Sequence, residues 1–249
     1  GVGHVGANNL SDNRPHMGIF FYGNEHLIEL NEIHHVCQEA VDAGAIYNGR
    51  DWTMRGTIIR HNYLHHLYGL DDKGSEGIYL DDMASGMLLQ GNVFFEVHRA
   101  FLIGGGRDVT VENNIIIDCK IGVYVDARGL GWAKYSINAT MKPRLDAMPI
   151  ESEVWRSRYP QLLTLWGDEP GAPKGTVVRK NVGIDSEVDA VHKVAKPYVT
   201  VENNRQLSRA EAGFVNGEKQ DFRLIKNSKV YESLPDFQPI PFEKIGLKE

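Results

Sequence analysis

The sequence predicts an all-β chain folded as a right-handed parallel β-helix, with a partly helical insertion at about residues 127–174. Three observations point there. An apolar-x-x-Asn motif recurs with a unit of about 22 residues, each unit also carries a short strand-like run opened by a small residue, and both signals stop together over one long stretch. Self-similarity at such a period is the mark of a stacked repeat architecture.

The Asn motif occurs as Ile28-Glu-Leu-Asn31, Ile59-Arg-His-Asn62, Leu89-Gln-Gly-Asn92, Val111-Glu-Asn-Asn114, Val178-Arg-Lys-Asn181 and Val201-Glu-Asn-Asn204, at spacings of 31, 30, 22, 67 and 23 residues. The gap of 67 is close to three units. Asn suits a recurring turn because it tolerates the left-handed conformation, and identical Asn side chains on successive coils can bond to one another. A leucine-rich repeat also carries an Asn, but it needs a Leu-x-x-Leu-x-Leu frame that this chain lacks.

The strand-like runs are Gly18-Ile-Phe-Phe21, Gly44-Ala-Ile-Tyr47, Gly77-Ile-Tyr-Leu80, Ala100-Phe-Leu-Ile103 and Gly122-Val-Tyr-Val125. Strands this short, rich in β-branched and aromatic residues and closed by Gly or Asn, need a neighbour one coil away, at about 4.8 Å. Coils are thus expected over residues 1–211. The insertion at 127–174 contains Glu151 to Trp166 with helix-like apolar spacing, and reads either as a cover on the solenoid or as the wall of a cleft. Residues 212–249, with Pro235, Pro239 and Pro241, read as a cap or an extended tail along the side.

Composition excludes several classes of function. Lys+Arg 27 against Asp+Glu 33 gives a net charge of −6, with no basic run longer than two residues, so no nucleic-acid partner is expected. The longest apolar runs, such as Ile19 to Tyr22, are far short of the roughly 20 residues a membrane helix needs. Cys37 and Cys119 form no C-x-x-C pair and read as buried free thiols. The opening Gly1-Val2-Gly3-His4 reads as a fragment or processed form.

Polar residues crowd at the ends of the short strands. Aligned on the small residue, the runs place Asn48, Asp81, Gly104 and Asp126 in one column, with Asp81 and Asp126 two coils apart, about 9.6 Å. Between them Gly104-Gly105-Gly106 predicts a bare trough flanked by carboxylates. Asp42 and Glu76 stand just ahead of their strands, and Arg50, Asp51, Asp81 and Asp82 just after. Two carboxyl groups in different environments are what glycosidic cleavage requires, one to protonate the leaving oxygen and one to activate water or attack the sugar. Asp at a turn also caps backbone amides, and Arg50 among carboxylates also makes a turn-fixing ion pair. Tyr47, Tyr79, Trp52 and Trp132 are candidates to stack on sugar rings. The pairs His34-His35 and His65-His66, with His16, His61 and His98, show no metal-ligand spacing and read as hydrogen-bonded turn or cleft histidines; no metal ligands are assigned.

Several motifs together carry a family resemblance: Pro15-His-Met-Gly-Ile-Phe-Phe, Ile28-Glu-Leu-Asn-Glu-Ile-His-His35, Asp42-Ala-Gly-Ala-Ile-Tyr, Gly49-Arg-Asp-Trp52, Gly77-Ile-Tyr-Leu-Asp-Asp82, Gly104-Gly-Gly-Arg-Asp108, Asp126-Ala-Arg-Gly-Leu-Gly-Trp132 and Ala172-Pro-Lys-Gly175. Over residues 10–205 the chain resembles bacterial β-helix proteins related to glycoside hydrolase family 141, pectate-lyase-like solenoids that cleave plant cell-wall glycans with two aspartates. The resemblance implies a secreted or periplasmic hydrolase of a plant or algal polysaccharide or oligosaccharide. Its catalytic residues would be Asp42 and Asp81 or Asp82, with His16, His34, Tyr47, Arg50, Asp51, Glu76, Arg107, Asp126, Arg128 and Trp132 binding substrate. No cofactor is required, calcium being the one ion left open. The alternatives are a β-helix polysaccharide lyase and a non-catalytic glycan-binding solenoid.

Overall fold

The computed structural model describes residues 1–72 and 74–248. Among these, the strands form three parallel sheets in which neighbours in the sheet are always successive turns of the chain. The first sheet has seven strands, from Val5–Ala7 to Val199–Glu202, and the second has seven, from Leu10–Asp12 to Arg205–Leu207. The third has six, Ile19–Phe20, Gly44–Gly49, Glu76–Asp81, Arg99–Gly104, Ile121–Asp126 and Asp189–Val191. Among the described residues the first six coils each contribute one strand to each sheet and the seventh contributes to the first two, which is a parallel β-helix.

The register explains why such short strands persist. Ile28, Ile59, Leu89, Val111 and Val178 are partners down the first sheet, and Ile33, Leu64, Phe94 and Ile116 down the second. Ile46, Ile78, Phe101 and Val123 follow down the third. All thirteen are buried in one continuous interior. Each is worth about 1.5–3 kcal/mol of burial, so the coils are held by apolar stacking across neighbours rather than by any one strand.

The Asn ladder runs at the corner between the first two sheets. Asn31 Nδ2 donates to Asn62 Oδ1 at 2.9 Å, and the pattern continues through Asn92, Asn114, Asn181 and Asn204. It begins one coil earlier, at Asn9, whose coil has Gly6 where the others have an apolar residue. Of the two expected reasons for Asn, bonding between successive coils holds and the left-handed conformation does not. The left-handed residue is the one before it (Leu30, His61, Gly91, Asn113, Lys180, Asn203), while the ladder Asn spends its amide on the next coil.

The insertion is helical in short pieces, including Glu153–Arg158 and Gln161–Leu165 broken at Pro160, and also Lys142–Asp146, which the spacing did not reveal. Ile137, Met141, Leu145, Tyr159, Leu162 and Leu165 pack with Trp52 and Met83, the residues just past two third-sheet strands. Trp52 is therefore core, not a sugar platform. Arg158 and Tyr159 also reach Glu25, so the insertion spans several coils.

The tail lies along the outer face of the second sheet, where Ala212, Phe222, Val230, Leu234 and Phe237 cover Tyr63, Val93, Phe95, Ile115, Ile117, Val182 and Ile184. It contains an antiparallel pair, Phe214–Asn216 with Asp221–Leu224, and then runs back to the first coils. Asn113 bonds Gln238, Gly246 N donates to Leu30 O, and Asn8 Nδ2 donates to the carbonyls of Lys244 and Gly246. Cys37 and Cys119 are free and buried, their thiols pushed up to about 12 by desolvation.

Candidate active site on the outer face of the third sheet

Side chains alternate across a strand, so the residues between the core positions of the third sheet face outward. They form a column of four aromatic residues interrupted by one leucine, Phe20, Tyr47, Tyr79, Leu102 and Tyr124. Beside it runs a second column of Gly49, Asp81, Gly104 and Asp126. Gly49, not Asn48, opposes Asp81, because Gly44 pairs with Glu76 and not with Gly77. Two small residues stand together there, and Ala45 rather than Gly44 matches Gly77. Asn48 is instead buried and donates to Phe21 O.

The triglycine is not a bare trough. The Arg128 side chain fills it: a Cβ on Gly104 would stand 2.5 Å from the Arg128 Cζ. Arg128 Nη1 bonds Asp81 Oδ1 at 2.6 Å and Asp82 Oδ1 at 3.2 Å, while Nη2 bonds Asp126 Oδ2 at 2.9 Å. Arg50 closes the other side, its Nε 2.9 Å from Asp82 Oδ2, and Tyr47 OH donates to Asp81 Oδ2 at 2.5 Å. Asp82 N donates to Asp81 Oδ1, and Asp82 and Met83 both adopt positive φ, folding the strand end back so that the two carboxylates meet. Asp81 and Asp82 are thus buried, ion-paired and closed to solvent. Burial, followed by the hydrogen bond and charge of Asp81, pushes the Tyr47 hydroxyl well above its ordinary range. At Arg128 desolvation acts to lower the guanidinium, but Asp126 and then Tyr79 outweigh it and raise the group above its ordinary range.

Asp42 and Glu76 sit differently. Asp42 is exposed in the loop before its strand, and Tyr79 OH donates to its Oδ1 at 3.2 Å. Glu76 is buried at the start of its strand, with Oε1 3.2 Å from Arg99 Nη1 and Oε2 without a hydrogen-bond partner. Desolvation pushes its carboxyl up to about 7, the Asp42 charge adding to the rise and Arg99 and Arg128 opposing it. The Arg99 guanidinium in turn lies 4.9 Å over the Tyr124 ring.

Next to these groups is a cavity of about 260 Å³ lined by Tyr124, Asp126, Arg128, Leu130, Trp132 and His192, among others. Trp132, 66% exposed, stands 5.4 Å from the Arg128 Cζ. Residues 127–132 of the insertion therefore form a wall of this cavity. The site joins Asp42, Glu76, Tyr47, Tyr79, Asp81, Asp82, Arg50, Asp126, Arg128 and Trp132 on one face. Arg99, Tyr124 and His192 belong to it and were not foreseen. His192 lies in the coil that follows the insertion, where no small-residue run marks the strand.

Four expected contacts do not join it. Asp51 caps its own turn, accepting from Thr53 N and Oγ1. Arg107 is buried and tethers the insertion through Asp168 and the carbonyls of Asp168 and Glu169. His34 belongs to the second sheet, and His16 lies exposed in the loop leading from that sheet to the third.

The family model described as "Right handed beta helix region" matches residues 2–139. The chain belongs to that family. The match supplies the handedness of the coils and covers the first five third-sheet strands together with the start of the insertion. Beyond it the same sheets continue through the strands Thr176–Arg179 to Arg205–Leu207. Neither a curated protein nor a solved structure matches this β-helix significantly.

Proposed function

We propose that the outer face of the third sheet hydrolyses a glycosidic bond of a plant or algal cell-wall polysaccharide. Glu76 is the acid that protonates the leaving oxygen, and Asp42 is the carboxylate that activates water or attacks the sugar. One observation carries this reading: the Glu76 carboxyl is pushed up to about 7 and keeps a buried oxygen unbonded, while Asp42 close by is exposed. Two carboxyl groups whose environments separate them in this way suit acid and base roles near neutral pH. Of the aspartates to which the resemblance to glycoside hydrolase family 141 points, Asp42 keeps its role. Asp81 and Asp82, held by Arg50 and Arg128, act as the frame that positions both arginines. Tyr124 and Trp132 offer ring faces to a sugar, and the exposed Arg50 offers hydrogen bonds to hydroxyls. The plant-glycan substrate and a secreted or periplasmic setting rest on the resemblance, and no cofactor is required by this chemistry.

The test is reducing-sugar release from xylans, pectins and fucosylated glycans by the chain and by its Asp42→Asn and Glu76→Gln variants. Release by the parent that both variants lose is expected, with folding checked by circular dichroism. Undiminished release from both would overturn the assignment, and products bearing a new ultraviolet-absorbing double bond would mean a lyase. A second reading, a glycan-binding solenoid without catalysis, is favoured by the full pairing of Asp81 and Asp82 with arginines. It gives binding to the same glycans with no release, unchanged in both variants.

A further inference from the structure

On the second sheet, away from the proposed glycan face, Asp12, His34, His35, His65 and His66 gather where the strands end. Asp12 and His34 are register partners on successive coils, and His34 and His65 are the next pair. His35 has φ 47°, a left-handed conformation that brings its ring against that of its neighbour His34. Three atoms then meet. His34 Nδ1 is 2.7 Å from His35 Nδ1 and 3.0 Å from Asp12 Oδ1, and His35 Nδ1 is 3.7 Å from the same oxygen.

Hydrogen bonds alone do not satisfy this trio. Each ring nitrogen carries at most one hydrogen. If His34 Nδ1–H points to Asp12, it has no lone pair for His35. If it accepts from His35, its lone pair and the Asp12 oxygen face each other bare. Asp12 Oδ1 is in fact buried with no hydrogen-bond partner, although His34 Nδ1 stands 3.0 Å away and His35 Nδ1 3.7 Å away. A cation accepts all three lone pairs at once. Tetrahedral zinc, with bonds of about 2.0–2.1 Å, holds its ligands about 3.3 Å apart, and the observed 2.7, 3.0 and 3.7 Å bracket that value.

We propose that Asp12, His34 and His35 form a binding site for one divalent transition-metal ion of the zinc class, a fourth position being filled from solvent. Two imidazoles and a carboxylate suit such ions rather than calcium or magnesium. The rings are set in place beforehand. His34 stacks on His65 at 4.5 Å, His65 stacks on Tyr63 at 4.2 Å, and His35 stacks on His66 at 5.4 Å. Access is through a cavity of about 230 Å³ lined by His35, Val36, Gln38, His66, Tyr68 and Gly69. The neighbouring pair His65 and His66 repeats the close Nδ1 contact, yet its carboxylates, Glu32 and Glu96, approach the Nε2 atoms on the far side of the rings. That pair supports the site from below and does not duplicate it. This ion would tie the first coil to the second and is independent of the glycan reading.

The test is calorimetric titration of the tag-free, chelator-stripped chain with zinc chloride, repeated with Co²⁺ while following visible absorption. One equivalent per chain is expected, with a tetrahedral-type Co²⁺ spectrum and a higher melting temperature in zinc. Asp12→Asn and His35→Asn should each weaken binding by about tenfold or more, and His66→Asn should leave one equivalent bound. Asn tolerates the left-handed backbone of residue 35, and Asp12, half-buried at the end of its strand, gives a second variant should His35→Asn melt early without metal. Absence of saturable binding would overturn the proposal, as would binding that both variants retain in full.

Discussion

Gly104 lies beneath the guanidinium of Arg128, so closely that a single methyl group on the glycine would meet Cζ at 2.5 Å. The glycine is needed for space, not for backbone freedom. Gly104→Ala should displace a guanidinium pinned by three carboxylates and cost about 1–3 kcal/mol, the usual range for overpacking. Denaturant unfolding of the variant checks this, and an unchanged midpoint would mean that the arginine swings away freely.

Arg128 itself is buried with Asp81, Asp82 and Asp126 around it. Removing one partner of a buried ion pair leaves uncompensated charge, which costs about 3–5 kcal/mol. Arg128→Met should lose that much, and adding Asp81→Asn to it should recover part of the loss. A double variant no more stable than the single one would show that the two residues are not coupled.

Glu76 gives the chain a distinctive pH response. Its folded carboxyl titrates at about 7 against an ordinary 4.5, so the neutral form is favoured in the fold. The contribution is fully present below pH 4.5 and is lost as pH rises through 7, on the order of 3 kcal/mol in all. Parallel melts of the parent and Glu76→Gln from pH 4.5 to 8.5 should therefore diverge, the variant gaining on the parent as pH rises. Parallel curves would mean that Glu76 is charged throughout.

The Asn ladder should be strongest in its middle. Asn92 accepts from Asn62 N and Nδ2 and donates to Ile59 O and Asn114 Oδ1, all buried. Asn92→Ala strands several buried groups and should cost about 2–4 kcal/mol. Asn204, at the last rung and half-buried, leaves its partners within reach of water, so Asn204→Ala should cost less. Equal losses measured by chemical denaturation would argue against a ladder acting through burial.

The coils were legible in the sequence because one Asn per coil is tied to a buried partner in the next. Asn9 escaped only because Gly6 replaces the apolar half of its motif. The candidate site was legible as a list of strand-end residues but not as an arrangement. Gly44 and Ala45 are both small, and choosing the first slipped one coil by a residue. Arg107 looked like a substrate ligand because its true partner, Asp168, lies 61 residues on, inside the insertion. The trough looked open for a similar reason, its occupant Arg128 coming from a later coil. Spacing cannot show which side chains return from a distance.

The clasp formed by the tail bears on how the molecule comes apart. A stack of coils would ordinarily fray from its outermost member, each loss exposing the next. Here Asn8, in the first coil, is held by Lys244 and Gly246, and Leu30 in the second by Gly246. The earliest turn of the chain cannot peel off unless the latest segment lets go. A linear array is thereby fastened into a loop of mutual dependence, and one cut near Pro235 would free both extremities at once.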